Sequence, residues 1–174
     1  MGHHNASIWR ETYPNDGSPV SAYWPMMGAW LCSHLWEHYL FTGDEIFLKE
    51  EAYPLMKGAS EFFLDWLVDN GSGYWVTPVS TSPENMFLTA NGEQAAVSMG
   101  STMDMSMIRE LLTRTQSAAE KLRVDESLRK EIQDKLQRLL PYQIGARGQL
   151  QEWQQDFDES APQHRHLSHL YGLY

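Results

Sequence analysis

The chain has 174 residues, a length that fits one domain with a core burying roughly 70% of the surface exposed when unfolded. A net charge of −10, from 13 Lys and Arg against 23 Asp and Glu, argues against nucleic-acid binding, which needs basic side chains to displace counterions from a phosphate backbone. A single cysteine, Cys32, excludes an internal disulfide framework, no apolar run approaches the roughly 18 residues of a membrane span, and Met1-Gly2-His3-His4-Asn5 shows no signal peptide.

In chain order, residues 1–22 read as loop, with a turn cluster at Pro14-Asn15-Asp16-Gly17-Ser18-Pro19. From Trp24 to Phe41, the apolar residues Met27, Ala29, Trp30, Leu31, Leu35, Trp36, Tyr39 and Leu40 recur at helical spacings over more than one face. That pattern predicts a largely buried helix, ended by Thr42-Gly43. Asp44 is placed to cap the next helix. Pro54 has no amide hydrogen and predicts a break near Tyr53 followed by a restart. Leu55, Ala59, Phe62, Phe63, Trp66 and Leu67 carry an apolar stripe to Asp69, and Asn70-Gly71-Ser72-Gly73 stops it.

Tyr74-Trp75-Val76-Thr77 suits a short strand. The stretch from Pro78 to Gly100 is rich in Gly, Ser, Thr and Asn and has no charge run. A loop of that length inside a compact domain is expected to be functional. Thr102 or Asp104 opens a third helix, with Met105, Ile108, Leu111, Leu112, Ala118, Ala119 and Leu122 on its buried side. Asp125 caps a fourth, with Leu128, Ile132, Leu136 and Leu139 on one face, ended by Pro141. The tail from Gly145 is polar and aromatic, and Ser168 to Tyr174 reads as the start of another helix. Helices of this length joined as antiparallel pairs predict an all-α class with long loops.

Four clusters carry candidate chemistry. His34-Leu35-Trp36-Glu37-His38 satisfies H-x-x-E-H, in which two His one helical turn apart can share a zinc ion beside a Glu base; the plainer reading is a polar helix edge. His164-Arg165-His166, with His169, Asp156 and Asp158 nearby, has ligand-type residues, but a fixed cation between two His opposes a dication. Arg and His side by side are better suited to donating hydrogen bonds to hydroxyls or an anion. Glu84, in Ser82-Pro83-Glu84-Asn85, sits on a Pro-stiffened loop flanked in sequence by Trp75 and Phe87. Desolvation there would raise its pKa, as a general acid requires. Glu152-Trp153 with Asp156 fits either a carbohydrate subsite or the first turn of a helix. A core accounts for part of the seven Trp, eight Tyr and six Phe; a cleft that stacks on sugar rings would account for the rest, while core or rim is the plainer reading of any single one. Cys32 reads as a core residue. No phosphate loop, dinucleotide fingerprint or nucleophile elbow is present, and no cofactor or metal is expected.

Several segments together resemble glycoside hydrolase family 95. These are His3-His4-Asn5 with Ile8-Trp9-Arg10; Trp24-Pro25-Met26-Met27-Gly28-Ala29-Trp30-Leu31; His34-Leu35-Trp36-Glu37-His38-Tyr39 with Thr42-Gly43-Asp44; Ser80-Thr81-Ser82-Pro83-Glu84-Asn85; Gln151-Glu152-Trp153 with Asp156; and His164-Arg165-His166 followed by Ser168-His169-Leu170-Tyr171-Gly172-Leu173-Tyr174. The resemblance implies part of an (α/α)6 barrel and an inverting glycosidase, mainly an α-L-fucosidase acting on α-1,2-linked fucose, with some members acting on L-galactosides. It makes Glu84 the general acid and places Arg165, His166, Trp9, His4 and Asn5 near the bound sugar. Ala6-Ser7 stand where the family usually has Thr-Asp, so any role of that Asp is lost, and Val79 stands where a Pro is common. In the family, the Asn residues that orient the attacking water precede the segment matching residue 1, and their supporting Asp follows the segment matching residue 174. The expectation is therefore a partial catalytic domain over residues 1–174, inactive alone; enzymes of this kind tend to be exported, and the sequence leaves the compartment open. The readings from other classes are a non-catalytic carbohydrate-binding helical module and a zinc hydrolase using His34 and His38.

Overall fold

The computed structural model describes residues 5–6, 12–13, 20 and 23–173. About half of the chain is helical. The first pair of strands, β1 (Asn5–Ala6) and β2 (Thr12–Tyr13), runs antiparallel with Asn5 opposite Tyr13.

Helix α1 (Met27–Thr42) begins three residues later than its apolar pattern suggests, because Trp24 precedes Pro25 and the proline ring disfavours helical backbone in the residue before it. Gly43 ends it at φ 65°, with its N–H donating to the Tyr39 carbonyl at 2.7 Å. Ala29 and Cys32 are its fully buried residues, and burial pushes the Cys32 thiol up to about 11. Leu31, Leu40 and Phe41 are 54%, 60% and 90% exposed. The helix expected to be largely buried is therefore covered on one side only.

Asp44 caps as expected, its Oδ1 accepting from the Ile46 and Phe47 amides at 2.9 Å. The predicted break at Pro54 is instead a change of winding. Helix α2 (Glu45–Phe47) passes into a π-helical turn (Leu48–Ala52) and then into α3 (Tyr53–Trp66). The Tyr53 amide donates to the Leu48 carbonyl five residues back. The wider turn ends two residues before Pro54, which enters α3 in its first turn, where no amide hydrogen is needed. The buried face of α3 is Tyr53, Met56, Ser60, Phe63 and Leu64; Leu55, expected inside, is exposed. Ser60 is tolerated inside because its hydroxyl donates to Thr115 at 2.9 Å.

Strands β3 (Val68–Asp69) and β4 (Trp75–Val76) form a hairpin. Its turn is closed by the Asp69 and Asn70 side chains, which accept from the Gly71 and Ser72 amides. Helix α4 (Thr102–Leu122) is the hub and packs against α1, α3 and α5 (Glu126–Gln137). Its expected apolar face is buried at Met105, Ile108, Leu111, Leu112, Ala118 and Ala119. The N-cap is Ser101, whose hydroxyl accepts from the Asp104 amide. Asp125 does not cap α5 through its side chain. It lies at φ 49°, and its carboxylate accepts from the Tyr53 hydroxyl at 2.7 Å and pairs with Lys57 at 3.0 Å. Helix α5 stops before Pro141 because the chain is drawn into backbone pairing: the Trp75 amide donates to Arg138 and the Leu140 amide to Trp75. Lys135 caps this junction, its ammonium 3.5 Å from the Trp75 ring centre.

The structure departs from an all-α class in its loops. The stretch between β4 and α4 contains β5 (Phe87–Leu88) and β6 (Gln94–Ala95), and β7 (Asp158–Glu159) pairs with the other edge of β5. This three-stranded sheet ties residues 80–88 to the C-terminal segment. That segment ends in a 3-10 turn (Ser168–Leu173) packed on α4, where an α-helix was expected. No helix among the described residues is long and apolar enough to cross a membrane.

Candidate active site

The segment Ser80-Thr81-Ser82-Pro83-Glu84-Asn85 is held almost entirely by buried polar contacts. Ser80, Thr81 and Ser82 are fully buried and Asn85 nearly so, whereas the Glu84 side chain retains 41% of its exposure. Ser80 and Ser98 exchange backbone hydrogen bonds at 2.8 Å, and the Thr81 hydroxyl donates to the Tyr23 carbonyl. The Asn85 amide donates to the Ser82 carbonyl at 2.7 Å, closing a tight turn with Glu84 near its tip. The loop thus buries its small polar residues and presents one carboxylate.

Two buried carboxyls lie beneath this loop. Asp104, in the first turn of α4, accepts from the Ser80 hydroxyl at 2.6 Å. Complete burial pushes its carboxyl up to about 7, against the opposing effect of hydrogen bonds from Ser80, Ser101 and Thr77. The Tyr23 hydroxyl is raised too, by burial and then by the nearby Asp104. The second is Glu152, 6% exposed. Its Oε1 accepts from the Ser82 hydroxyl at 2.6 Å and its Oε2 from the Asn85 side-chain amide at 3.0 Å.

The C-terminal segment brings its basic residues to the loop tip. Arg165 Nη2 donates to Glu84 Oε2 at 2.8 Å. The Glu84 amide donates to His166 Nδ1 at 3.2 Å. The same Nδ1 lies 3.9 Å from Glu84 Oε2, but an acceptor nitrogen carries no hydrogen, so the ring is not an ion-pair partner of the carboxylate and its proton resides on Nε2. The segment is anchored at the Ser168 hydroxyl, which donates to the Pro83 carbonyl. A second anchor is the Tyr171 hydroxyl, which donates to Glu110 of α4 at 2.6 Å. Glu84, Arg165 and His166 are therefore brought together across some eighty residues of sequence. His4 and Trp9 lie outside the described residues, and of Asn5 only the backbone, in β1, is described.

Several expectations change here. Trp75 and Phe87 do not form a desolvating pocket for Glu84. Trp75 lies under Lys135 and Arg138, and Phe87 packs on Trp153 and Phe157 with ring centres 5.3 and 4.1 Å away. Glu152-Trp153 with Asp156 is neither an open sugar platform nor a helix turn. Trp153 is 2% exposed, and Asp156 closes the 145–149 turn by accepting from the Ala146 amide and Gln149. The aromatic excess in this region is core. His34 lines a groove of about 600 Å³ with Trp30, Glu37 and Tyr171, whereas His38 packs on Phe47 at 4.3 Å. Among the described residues no group of three or more His, Cys, Asp or Glu is arranged to hold a metal ion. The bracing roles of Asp104 and Glu152 escaped sequence reading; the one available signal was the capping pattern from Ser101 to Asp104.

Beside the loop lies a cavity of about 170 Å³, lined among others by Asn85, Glu152, His164, His166 and His169. A partly exposed carboxylate on a rigid loop, with Arg and His at its edge, fits a site that handles protons next to a polar ligand.

The chain belongs to glycosyl hydrolase family 95, matching its catalytic domain over residues 1–174. It is 43% identical over 175 residues to alpha-L-fucosidase 2 of Arabidopsis thaliana, covering all of this chain and 21% of that protein. It is 34% identical over 156 residues to probable alpha-fucosidase A of Aspergillus niger, covering 87% of this chain and 19% of that protein. The chain thus spans about a fifth of the length of these curated relatives.

Proposed function

We propose that the chain is the acid-bearing part of an inverting α-L-fucosidase that removes terminal α-1,2-linked L-fucose, or L-galactose, from oligosaccharides. The observation that carries this reading is the Glu84–Arg165–His166 cluster on a loop braced by buried carboxyls, together with membership of a family whose matched relatives are named fucosidases. Glu84 protonates the departing glycosidic oxygen. Arg165 and His166 bind the sugar beside it, Arg through fixed donors and His through its Nε2 proton. A water on the opposite face attacks the anomeric carbon, which inverts. The residues that orient that water, and sugar contacts from His4, Asn5 and Trp9, belong to the same reading.

We further propose that the chain is one portion of an (α/α)6 barrel and does not hydrolyse fucosides alone. The relatives' greater length supports this. So do the exposed Leu31, Leu40 and Phe41 of α1, an apolar surface suited to packing against further helices.

The test is release of free L-fucose from an α-1,2-fucosylated lactose by the full-length protein, followed by chromatography, with calorimetry of the same pair. Turnover is the expected result. Binding without turnover would instead make this a carbohydrate-binding module, and turnover lost to a chelator and restored by zinc would favour a metal site at His34 and His38.

A further inference from the structure

We propose that Glu152 is a positioning residue for the reaction: its buried carboxylate holds Glu84 in register from both sides. The inference rests on the reading of Glu84 as the general acid. Among the described residues Glu84 has one charged partner, Arg165, whose own side chain is 72% exposed. An exposed guanidinium on a flexible stem does not fix a carboxylate to within the tolerance that proton transfer needs. The precision has to come from the backbone on either side of Glu84.

That backbone is tethered at two points to one carboxylate. Ser82, two residues before Glu84, binds Oε1 of Glu152, and Asn85, one residue after it, binds Oε2. The Asn85 amide cannot turn freely, since its Oδ1 accepts from the Met86 amide at 2.9 Å while its Nδ2 donates to Glu152. Glu152 is itself fixed. The Thr102 amide donates to the Glu152 carbonyl at 3.0 Å, and the Thr102 hydroxyl donates to the Gln151 carbonyl at 2.5 Å. The tether therefore runs from the first turn of α4, through Glu152, to both flanks of Glu84. Burying a carboxylate is costly unless its oxygens accept hydrogen bonds. Here both oxygens bind the loop that carries the proposed acid, with His169 Nδ1 of the C-terminal segment 3.6 Å from Oε2, so the buried charge is held chiefly by that loop.

The experiment compares full-length wild type with Glu152→Gln, Glu84→Gln and the double variant. The substrates are α-1,2-fucosyllactose, whose leaving group needs protonation, and an activated aryl fucoside, whose leaving group does not. Glutamine at 152 keeps the shape but sets an amide against one of its two donors. Glu152→Gln is expected to lower kcat on fucosyllactose by roughly 10²-fold, the order of effect of a 1 Å misplacement, with KM nearly unchanged and a much smaller loss on the aryl fucoside. In the Glu84→Gln background the same change should cost nothing further on fucosyllactose, because a residue that acts through Glu84 has nothing left to position.

Equal fractional losses on the two substrates, or an undiminished loss in the Glu84→Gln background, would overturn the positioning role while leaving the acid assignment intact. Unchanged fucosyllactose turnover in Glu84→Gln alone would overturn both, and is told apart by that single variant. Should Glu152→Gln not fold, Ser82→Ala and Asn85→Ala each remove one tether. Both should show the same substrate split in weaker form, and its absence in both would refute the proposal.

Discussion

Replacing Glu84 with Gln in the full-length protein is expected to lower kcat on α-1,2-fucosyllactose by about 10²- to 10⁴-fold, the range contributed by a positioned general acid. Activated aryl fucosides should lose far less, since their leaving groups depart without a proton. The substitution is nearly isosteric, and the Glu84 side chain is 41% exposed, so a loss through misfolding is not anticipated. Gln also leaves the Glu84 backbone amide free to donate to His166. What it removes is a transferable proton and the charge paired with Arg165 at 2.8 Å. Comparable rates on both substrates before and after substitution would show that Glu84 is not the acid.

The second large effect concerns stability. Asp104 lies completely buried beneath the Glu84 loop, and burial pushes its carboxyl from 3.8 to about 7. Between these values the folded chain holds a proton that the unfolded chain releases. Asp104 therefore contributes most stability below about pH 4, and this is lost as pH rises toward about 7, with little further change above. The difference corresponds to about 4 kcal/mol. Asn at 104 never ionises. It can still accept from Ser80, and its amide can take the place of Oδ1, which has no hydrogen-bond partner among the described residues. Tyr23, which Asp104 influences, ionises only above its ordinary range and so stays neutral throughout this window. Thermal midpoints of wild type and Asp104→Asn, measured from about pH 4 to about pH 8, should diverge in the variant's favour as pH rises. A gap independent of pH would show that Asp104 is not the titrating group.

Local signals were legible wherever one residue's backbone preference decides the outcome. Gly43 closes α1 in the left-handed conformation and Asp44 accepts the first free amides of the next helix, both as their residue types dictate. The apolar face of α4 was equally legible, because that helix is surrounded and its pattern is the pattern of its contacts. Helix α3 was less so. Its interior includes Ser60, which hydropathy places outside and a hydroxyl partner on α4 places inside. Glu84, Arg165 and His166 could be named from a family resemblance, but their meeting depends on a sheet that joins residues 87–88 to residues 158–159. Two-residue strands leave almost no periodic trace. Glu152, which its neighbours suited equally to a sugar subsite or a helix turn, proved to be neither. Its actual partners lie 67 and 70 residues away, at a separation no local pattern encodes.

With Glu84 proposed as the acid of an inverting fucosidase, the stereochemistry of the released sugar is decisive. Proton NMR of the full-length protein acting on α-1,2-fucosyllactose, recorded during the first turnovers, reads that stereochemistry. β-L-Fucose is expected to appear first and then to mutarotate to the equilibrium mixture. First appearance of α-L-fucose would contradict it, since retention requires a carboxylate nucleophile and a covalent intermediate in place of a directly attacking water.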